Sequence, residues 1–298
     1  MDIIETIRDS VIQHGPHNNR IYLMRLNTEN AQSLIRKLDR LAVKNGYGKI
    51  FAKIPASEWD AFKSAGYLKE AVIPGFFSGR TDGCFVAKYF SADRKEASDI
   101  EVLQRVVESE GKNPGFPNTR IGGENLKVTV CRESDAAEMA EVYRKVFKSY
   151  PFPIEEPNYL KRLLNENVLY YCIRVEGRIA AIACADIDRE SKTVEMTDFA
   201  TLPNRRKKGF AGMLLEFMDG KVRKLGVKTA YTIARASSYG MNAVFKKSGY
   251  QYAGLLRNNS HICGSIQSMA VWYKHLYLLD QPPCTAAHQQ NNESEKAF

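Results

Sequence analysis

The spacing of hydrophobic positions changes repeatedly between two periods along the second half of the chain. A period of two is typical of half-buried strands, and a period of about 3.6 is typical of amphipathic helices. These periods predict strand 127–132, helices 137–147 and 157–164, strands 168–175, 179–187 and 193–202, helix 213–225, strand 228–234, helix 239–248, and strands 250–256 and 268–275. The predicted fold class is therefore α/β (α+β), with a mixed central sheet flanked by helices.

The first 120 residues contain a weaker copy of this pattern. Residues 34–50 repeat the helix-then-strand layout of residues 214–231, and residues 61–67 resemble residues 244–250. A strand over residues 84–90 completes the correspondence. We interpret the segment as a degenerate copy of the C-terminal half of the later domain, which packs on that domain and walls one side of its substrate site. A chance likeness between short helix-glycine-strand segments is the alternative.

Changes in composition divide the chain into three parts. We predict a first domain with its linker over residues 1–120, a second domain over residues 121–279, and a disordered tail over the polar residues 280–298. The linker region carries a predicted helix over residues 97–111, followed by a turn-rich segment over residues 113–118.

A short basic turn separates the predicted strand 193–202 from the predicted helix 213–225. Its residues are Arg206, Lys207, Lys208, Gly209, Phe210, Ala211 and Gly212. Unpaired backbone amides and the helix dipole favour an anion at a helix N-terminus, and small residues such as Gly209 let a ligand approach the backbone closely. The turn therefore predicts a pyrophosphate site, although the same residues also suit an ordinary solvated helix start.

This turn has the spelling Arg-x-x-Gly-x-Ala and resembles the acyl-CoA-binding signature of the GNAT superfamily of N-acetyltransferases. The resemblance extends from Val128 to His275. It implies the GNAT fold, acetyl-CoA as co-substrate, and direct transfer of the acetyl group to an amine in a ternary complex. The cofactor contacts that it implies are the backbone of Phe199, Ala200 and Thr201 along the pantetheine, the residues from Arg206 to Gly212 around the pyrophosphate, and Ser238, where the family often has an asparagine. The first domain lacks such a turn, so we expect no CoA there.

Such an enzyme needs a base, because an alkylammonium group with a pKa of about 10.4 must lose a proton before it attacks a thioester. Glu195 and Asp198 lie on the predicted strand 193–202, and the resemblance implies a catalytic glutamate near Glu195. Strand alternation puts the two carboxylates on opposite faces unless a bulge intervenes. We predict Glu195 as the base or substrate anchor, with Asp198 as the second candidate.

The tyrosine that returns a proton to the leaving thiolate in this family is missing. The corresponding position holds Phe245. Tyr239 is a possible substitute, or the acid is dispensable, because the thiol of CoA is far more acidic than an alcohol and leaves readily. A non-catalytic acyl-CoA-binding module therefore stays open as an alternative.

Within the superfamily the chain resembles the β-lysine N-acetyltransferases. The segments that carry this likeness are residues 73–77, 195–201, 240–242, 258–259, 262–264 and 271–274. Members of that branch acetylate the side-chain amine of (S)-β-lysine to give the compatible solute Nε-acetyl-β-lysine, and another small amine, such as a polyamine or a different diamino acid, is the alternative here. The candidate substrate residues are Tyr150 and Phe152 for the aliphatic part, Asp186 and Asp188 beside Glu195 and Asp198 for the ammonium groups, and Asn258, Asn259 or Arg235 for the carboxylate.

Composition limits the remaining classes of function. The formal charge is +9, but the basic residues are spread along the chain without a recognition helix or an aromatic RNA-binding signature, so we predict no nucleic-acid partner. Scattered histidines predict no metal, and neither a signal peptide nor a membrane-spanning run is expected. The six cysteines lack C-x-x-C spacing and lie mostly in strand-like runs, which is typical of buried thiols in a reducing cytoplasm. The sequence does not indicate whether the chain forms an oligomer.

Overall fold

The computed structural model describes residues 2–97, 100–109, 120–121, 124–166 and 168–277. The predicted tail, Cys284 and the turn-rich segment 113–118 lie outside the described residues. The strands are β1 (Ile3–Ile7), β2 (Ser10–Gly15), β3 (Arg20–Arg25), β4 (Lys49–Pro55), β5 (Leu68–Phe77), β6 (Thr81–Tyr89), β7 (Arg120–Ile121), β8 (Glu124–Asn125), β9 (Val128–Val130), β10 (Val168–Val175), β11 (Arg178–Asp188), β12 (Thr193–Thr201), β13 (Thr229–Arg235), β14 (Gln251–Ile262) and β15 (Ser265–His275). The helices are α1 (Ala31–Asn45), α2 (Trp59–Ser64), α3 (Ala92–Lys95), α4 (Glu101–Glu108), α5 (Ala136–Val146), α6 (Pro157–Leu164), α7 (Phe210–Lys224) and α8 (Tyr239–Lys247).

Thirteen of these strands form one sheet in the described part of the chain, in the order β1-β2-β3-β4-β6-β5-β14-β15-β13-β12-β11-β10-β9. The sheet is mixed, because β3 with β4 and β12 with β13 run parallel whereas the other neighbours run antiparallel. Alternation along β11 supplies both faces: Ala181 and Ala183 pack in the core under α7, and Ile182 and Cys184 pack in the core under α5 and α6. The predicted α/β class with a flanked mixed sheet is confirmed.

Several element boundaries differ from the prediction for local physical reasons. The helix α7 begins at the buried Phe210 rather than at residue 213, because the small residues after it hide the helical period. The strand β14 continues to Ile262, past residue 256, through a polar run that carries no apolar alternation. The helix α4 is shorter than the predicted 97–111. The strands β1, β2 and β3 were not predicted at all.

The strands β1–β6 repeat the topology of β10–β15. In each set two antiparallel hairpin strands lead to a third strand, a helix of 15 residues follows, and the next strand of 7 residues runs parallel to the third. A shorter helix and an antiparallel strand pair complete each set. The repeat therefore includes the three leading strands as well as the helix-strand segments seen in the sequence. The division of the chain into domains near residue 120 stays a prediction.

The two sets meet where β5 lies beside β14. Gly254 pairs with Ala71, and a Cβ atom at Gly254 would lie 2.2 Å from the backbone oxygen of Glu70. Beside this contact the buried Lys49 donates to Glu70 Oε2 at 2.8 Å and to the Arg257 carbonyl at 2.6 Å. A fully buried cation at this junction thus has its own carboxylate partner.

Candidate active site

The parallel strands β12 and β13 diverge within the sheet. They pair only from Thr193 to Glu195 with Thr229 to Tyr231. The remainder of β12, through Thr201, pairs on its other side with β11 and presents an open backbone edge to the gap. The predicted pantetheine contacts at Phe199, Ala200 and Thr201 lie in this part of β12. An extended amide-containing ligand can pair with such an edge as an added strand does.

The basic turn lies beyond the end of this open edge. Gly209 adopts a left-handed conformation with φ of 78° at the N-terminus of α7, and no side chain caps the helix there. The amides of Phe210, Ala211 and Gly212 therefore begin the helix without an intrahelical acceptor. Lys207 is also left-handed, with φ of 62°.

The cations of the turn differ in their surroundings. Arg205 pairs with Glu176 at 3.0 Å, and Arg206 donates through Nε to the Thr201 carbonyl at 3.3 Å. The side chain of Lys207 is exposed, and that of Lys208 is half-buried. The turn thus combines helix-end amides with nearby positive charge, which is a suitable environment for a pyrophosphate.

A cavity of about 1190 Å³ opens beside the diverging strands. Side chains from β3 and β4 form one wall, and side chains from β11, β12 and β13 form another. The segment that contains Tyr150 and Phe152 closes a third side. Both sets of strands therefore contribute to a single cavity.

Glu195 lies half-buried in this cavity. Its Oε2 accepts a hydrogen bond of 2.9 Å from the hydroxyl of Tyr231, and that hydroxyl accepts one of 2.9 Å from Lys53 Nζ. Burial raises the pKa of the Glu195 carboxyl, whereas Lys53 and the Tyr231 hydrogen bond oppose the rise. A raised pKa brings a carboxylate closer to the proton affinity that general base catalysis needs at neutral pH.

Asp198 reaches the same cavity because β12 bulges. Asp198 and Phe199 stand opposite the single residue Ala183, and Asp198 has a left-handed φ of 56°. Its carboxylate accepts hydrogen bonds from the hydroxyls of Tyr150 at 2.6 Å and Tyr170 at 3.3 Å. Burial raises its pKa, and these hydrogen bonds oppose the rise. Asp198 is thus already held by several donors, which leaves Glu195 as the better-placed proton acceptor.

All but one of the remaining predicted substrate residues line the cavity. Asp186 pairs with Glu195 across β11 and β12, and burial raises the pKa of its carboxyl. Phe152 and the buried Asn259 also border the cavity. Asn258 instead donates to the carbonyls of Asp93 and Glu96, each at 2.7 Å, and does not line the cavity. In the structure Asn258 ties β14 to the α3 segment, away from the other predicted substrate residues.

Several cations border the cavity, among them the carboxylate candidate Arg235 and two, Arg20 and Lys53, that the sequence did not single out. Arg20 and Tyr22 alternate onto one face of β3, and Lys53 lies on the same side of the neighbouring β4. The Lys53 Nζ atom lies 5.5 Å from the ring centroid of Tyr22 and 5.3 Å from that of Tyr231. The sequence does contain the alternation that puts these residues on one face of β3 and β4. That alternation points to the cavity only when the position of both strands relative to β12 is known.

Phe245 occupies the position at which the family has a proton-donating tyrosine, and it has no hydroxyl to donate. Phe245 is buried, borders the cavity, and packs edge-on against Phe199 with ring centroids 5.5 Å apart. Tyr239 is 58% exposed and lies outside the cavity lining. Ser238 borders the cavity and does not cap α8 through its side chain.

Taken together, a bulged strand, a diverging parallel neighbour and a glycine-capped basic helix end define the class of acyl-CoA-dependent N-acyltransferases. Residues 136–250 match the model of the acetyltransferase (GNAT) family. The chain is 38% identical to a "Beta-lysine N(6)-acetyltransferase" of Methanococcus maripaludis over 92% of its own length and 99% of the relative's. The chain belongs to the GNAT family of acetyltransferases, and within it the likeness to the β-lysine branch extends over nearly the whole chain.

Two further relatives span almost the same length. One is "N-acetyltransferase YodP" of Bacillus subtilis, 29% identical over 90% of this chain and 96% of the relative. The other is a "Beta-lysine N(6)-acetyltransferase" of Methanosarcina mazei, 27% identical over 80% of this chain and 95% of the relative. The first 120 residues are therefore part of what these relatives share with the chain, and not an addition to it.

Two other features bear on the remaining classes of site. Within the described ranges, no group of three or more histidine, cysteine, aspartate or glutamate side chains is arranged to hold a metal ion. None of the helices in this part of the chain has the length and apolar character needed to cross a bilayer.

Proposed function

We propose that the chain transfers the acetyl group of acetyl-CoA to the side-chain amine of β-lysine, with Nε-acetyl-β-lysine as the product. The observation that carries this proposal is the 38% identity to a β-lysine N(6)-acetyltransferase over 92% of the chain. The cavity beside β12 supports it, because it joins acidic groups to an open strand edge where a thioester can lie.

The residues present fit acetyl-CoA. The open edge of β12 from Phe199 to Thr201 offers backbone groups to the amides of pantetheine, and the uncapped N-terminus of α7 offers amides to the pyrophosphate. Arg206, Lys207 and Lys208 add positive charge around that end. When bound, acetyl-CoA supplies the electrophilic carbonyl carbon.

Glu195 is the proposed base. It takes a proton from the substrate's ammonium group, directly or through a water molecule, and the unprotonated nitrogen then bonds to the carbonyl carbon. The C–S bond breaks, and its electron pair leaves with sulfur as the CoA thiolate. Tyr231 holds the Glu195 carboxylate by its hydrogen bond, so that the remaining carboxylate oxygen faces the substrate.

The bulge in β12 is the proposed site of charge stabilisation. An amide near Phe199 or Ala200 would donate to the thioester oxygen as negative charge develops there, because a donor already in place costs no reorganisation. The leaving thiolate needs little help, since a thiol has a pKa of about 8.5. Phe245 is then compatible with turnover, and the proton reaches sulfur from solvent.

The acidic wall suits a diamino acid. Asp186, Glu195 and Asp198 border the cavity together, and attract the two ammonium groups of β-lysine. Tyr150 and Phe152 line its aliphatic part. Acetylation removes one positive charge and leaves a product with one ammonium and one carboxylate group. We propose that this net-neutral product serves as a compatible solute, made in the cytoplasm.

The test is release of thiol from acetyl-CoA in the presence of β-lysine, α-lysine or spermidine. Strong and selective turnover of β-lysine is expected. Selective turnover of a different amine would keep the acetyl transfer and discard this substrate. Binding of acetyl-CoA with no turnover of any amine would favour a non-catalytic acyl-CoA-binding module, for which Phe245 would be the structural reason.

A further inference from the structure

Two cations of β3 and β4, one buried and one half-buried, lie beside the cavity without a carboxylate at ion-pair distance among the described residues. They are Arg20 and Lys53, and their hydrogen bonds go to hydroxyl and carbonyl oxygens. Lys49, on the same strand as Lys53, is buried too but has Glu70 at 2.8 Å. A buried cation without an anion is costly, since desolvation is not offset by a partner charge. Arg20 makes its hydrogen bonds to uncharged oxygens, and Lys53 reaches the Glu195 carboxylate only through the Tyr231 hydroxyl, so both can still accept an anion from outside the chain.

Arg20 is 3% exposed and is held in a fixed position. Its Nη1 donates to the Asn259 carbonyl and to Ser260 Oγ, and its guanidinium carbon lies 5.3 Å from the ring centroid of Tyr22. Its Nε atom is buried and has no hydrogen-bond partner among the described residues. Arg20 thus retains a donor while it borders the cavity.

Lys53 is oriented by two aromatic rings. The hydroxyl of Tyr231 accepts one of its hydrogen bonds, and its ammonium group lies over the rings of Tyr22 and Tyr231. An ammonium group has three donors, so hydrogen bonds to the hydroxyls of Tyr231 and Tyr22 leave one donor for an anionic oxygen. The same side chain borders the cavity.

Charges of both signs line the cavity, and Arg162 of α6 and Arg235 of β13 add cations outside β3 and β4. Arg20 and Lys53 lie on the β3–β4 wall, whereas Asp186, Glu195 and Asp198 lie on the β11–β12 wall. A ligand that carries both ammonium and carboxylate groups matches this division. A ligand with ammonium groups alone leaves the cationic wall unpaired.

The phosphates of CoA are a poor match for this cationic wall. The pyrophosphate turn follows the end of β12 at Thr201, whereas Lys53 contacts Tyr231, which pairs with Glu195. Glu195 and Thr201 are six steps apart along β12, a rise of at most about 20 Å because the strand bulges at Asp198. The cations therefore belong to the substrate end of the cavity.

We propose that Lys53 and Arg20 bind the carboxylate of the amino-acid substrate, so that the first half of the chain sets the preference for an amino acid over a simple diamine. The proposal rests on the proposed function. It assigns the carboxylate to β3 and β4 and not to Asn258, and it gives the repeated half a binding role that does not involve CoA.

The experiment compares β-lysine with 1,4-diaminopentane, which is the same diamine without the carboxylate. The variant is Lys53→Met, because methionine keeps much of the aliphatic stem while removing the charge. The expected result is a fall of about 30-fold or more in the ratio of kcat/KM for β-lysine to kcat/KM for 1,4-diaminopentane, measured above the pH range in which Glu195 titrates, because Lys53 also lowers the pKa of Glu195. Arg20→Gln should change the ratio of the two substrates in the same direction.

The control is Lys69→Met, which removes an exposed lysine of the same half. It should leave kcat/KM unchanged for both substrates. Thermal unfolding and acetyl-CoA binding of each variant establish that it is folded. Equal losses for both substrates would overturn the proposal, because Lys53 would then act through Tyr231 on Glu195. Unchanged values for both substrates in the folded variants would overturn it as well.

The wild-type enzyme separates this proposal from the proposed function. Turnover of β-lysine with weak turnover of 1,4-diaminopentane is expected. Equal turnover of the two compounds would overturn the carboxylate assignment alone. Turnover of neither compound would overturn the proposed function and the assignment that rests on it.

Discussion

The two halves of the sheet have the same strand connectivity but differ at the places where chemistry is possible. In the second half, β12 and β13 pair over three residues and then diverge, and β12 continues for nine residues in total. In the first half, β3 is six residues long and pairs with β4 over four of them. The first half therefore lacks both the gap and the long open edge. The comparison teaches that the repeated topology supplies a scaffold, whereas the divergence of one strand pair supplies the cofactor site.

The helix starts that follow these strands differ as well. In the first half the side chain of Asn27 accepts a hydrogen bond from the Glu29 amide just before α1. In the second half Gly209 precedes α7 and offers no side chain. The first entrance is a 3-10 turn, Thr28–Asn30, capped by Asn27 and carrying the acidic Glu29, although α1 itself has no side-chain cap. The second entrance has a glycine and basic residues, which leave its amides for an anion.

Equivalent positions in the two parallel strand pairs carry different side chains. Counted from the first pair, Tyr22 and Phe51 correspond to Glu195 and Tyr231. All four border the same cavity. The second half thus provides a carboxylate with a hydroxyl donor, and the first half provides aromatic surface at the same places.

The largest effect is expected from removing the charge at Glu195. Glu195→Gln should lower kcat by about 10²- to 10⁴-fold, because a general base contributes about that much, while acetyl-CoA affinity stays nearly unchanged. Thiol release measures the first quantity and calorimetry with acetyl-CoA the second. Glu216→Gln, on the exposed face of α7, is the matched control and should behave as wild type.

An unchanged kcat in Glu195→Gln would mean that Glu195 is not the base. Glu195 and its equivalent in the first half, Tyr22, would then not differ in catalytic role. The proton would then go to Asp198 or to solvent. Asp198→Asn distinguishes these two, since only the first predicts a large loss of turnover in that variant.

A smaller effect is expected from making the second helix entrance resemble the first. Gly209→Asp places a carboxylate at the start of α7, and aspartate tolerates left-handed conformations better than most residues. Acetyl-CoA affinity should fall by about 10- to 100-fold, because like charges repel at the pyrophosphate site. Calorimetry with acetyl-CoA is the measurement.

Gly177→Asp is the control for backbone strain at Gly209. Gly177 has a left-handed φ of 75°, close to the 78° of Gly209, but lies in the β10–β11 hairpin with open space around it. Equal losses of affinity in the two variants would show that strain, and not charge at the helix end, is responsible.

The sequence predicted those parts of the molecule that depend on local pattern. Alternation and helical spacing located most elements of the second half, and the spelling of the turn from Arg206 to Ala211 indicated the family. The sequence did not predict β14 beyond residue 256, where the carbonyl of the buried Asn259 accepts a hydrogen bond from Arg20, which is remote in sequence. The spacing of hydrophobic residues carries no information about such partners.

The cationic wall was missed for a related reason. Arg20 and Lys53 become candidate residues only when β3 and β4 face β12 across one cavity, and no local spacing contains that information. Strand alternation alone puts Asp198 and Glu195 on opposite faces, so the sequence indicated that only a bulge could bring both carboxylates to one side. The likeness of residues 34–50 to residues 214–231 indicated an internal repeat. It did not indicate where the two halves contact each other.

The smallest effect is expected from Tyr231→Phe, which gives the second half the aromatic residue that the first half has as Phe51. Burial raises the pKa of Glu195, and the hydroxyl of Tyr231 lowers it by donating to the charged carboxylate. Loss of that donor should raise the pKa further, because a hydrogen bond to the charged form favours ionisation. The base must be deprotonated, so the acidic limb of kcat/KM for the amine should move to higher pH while the value at high pH changes little. A profile of kcat/KM against pH measures this shift, and an acidic limb that stays in place would mean that Glu195 does not carry the titration.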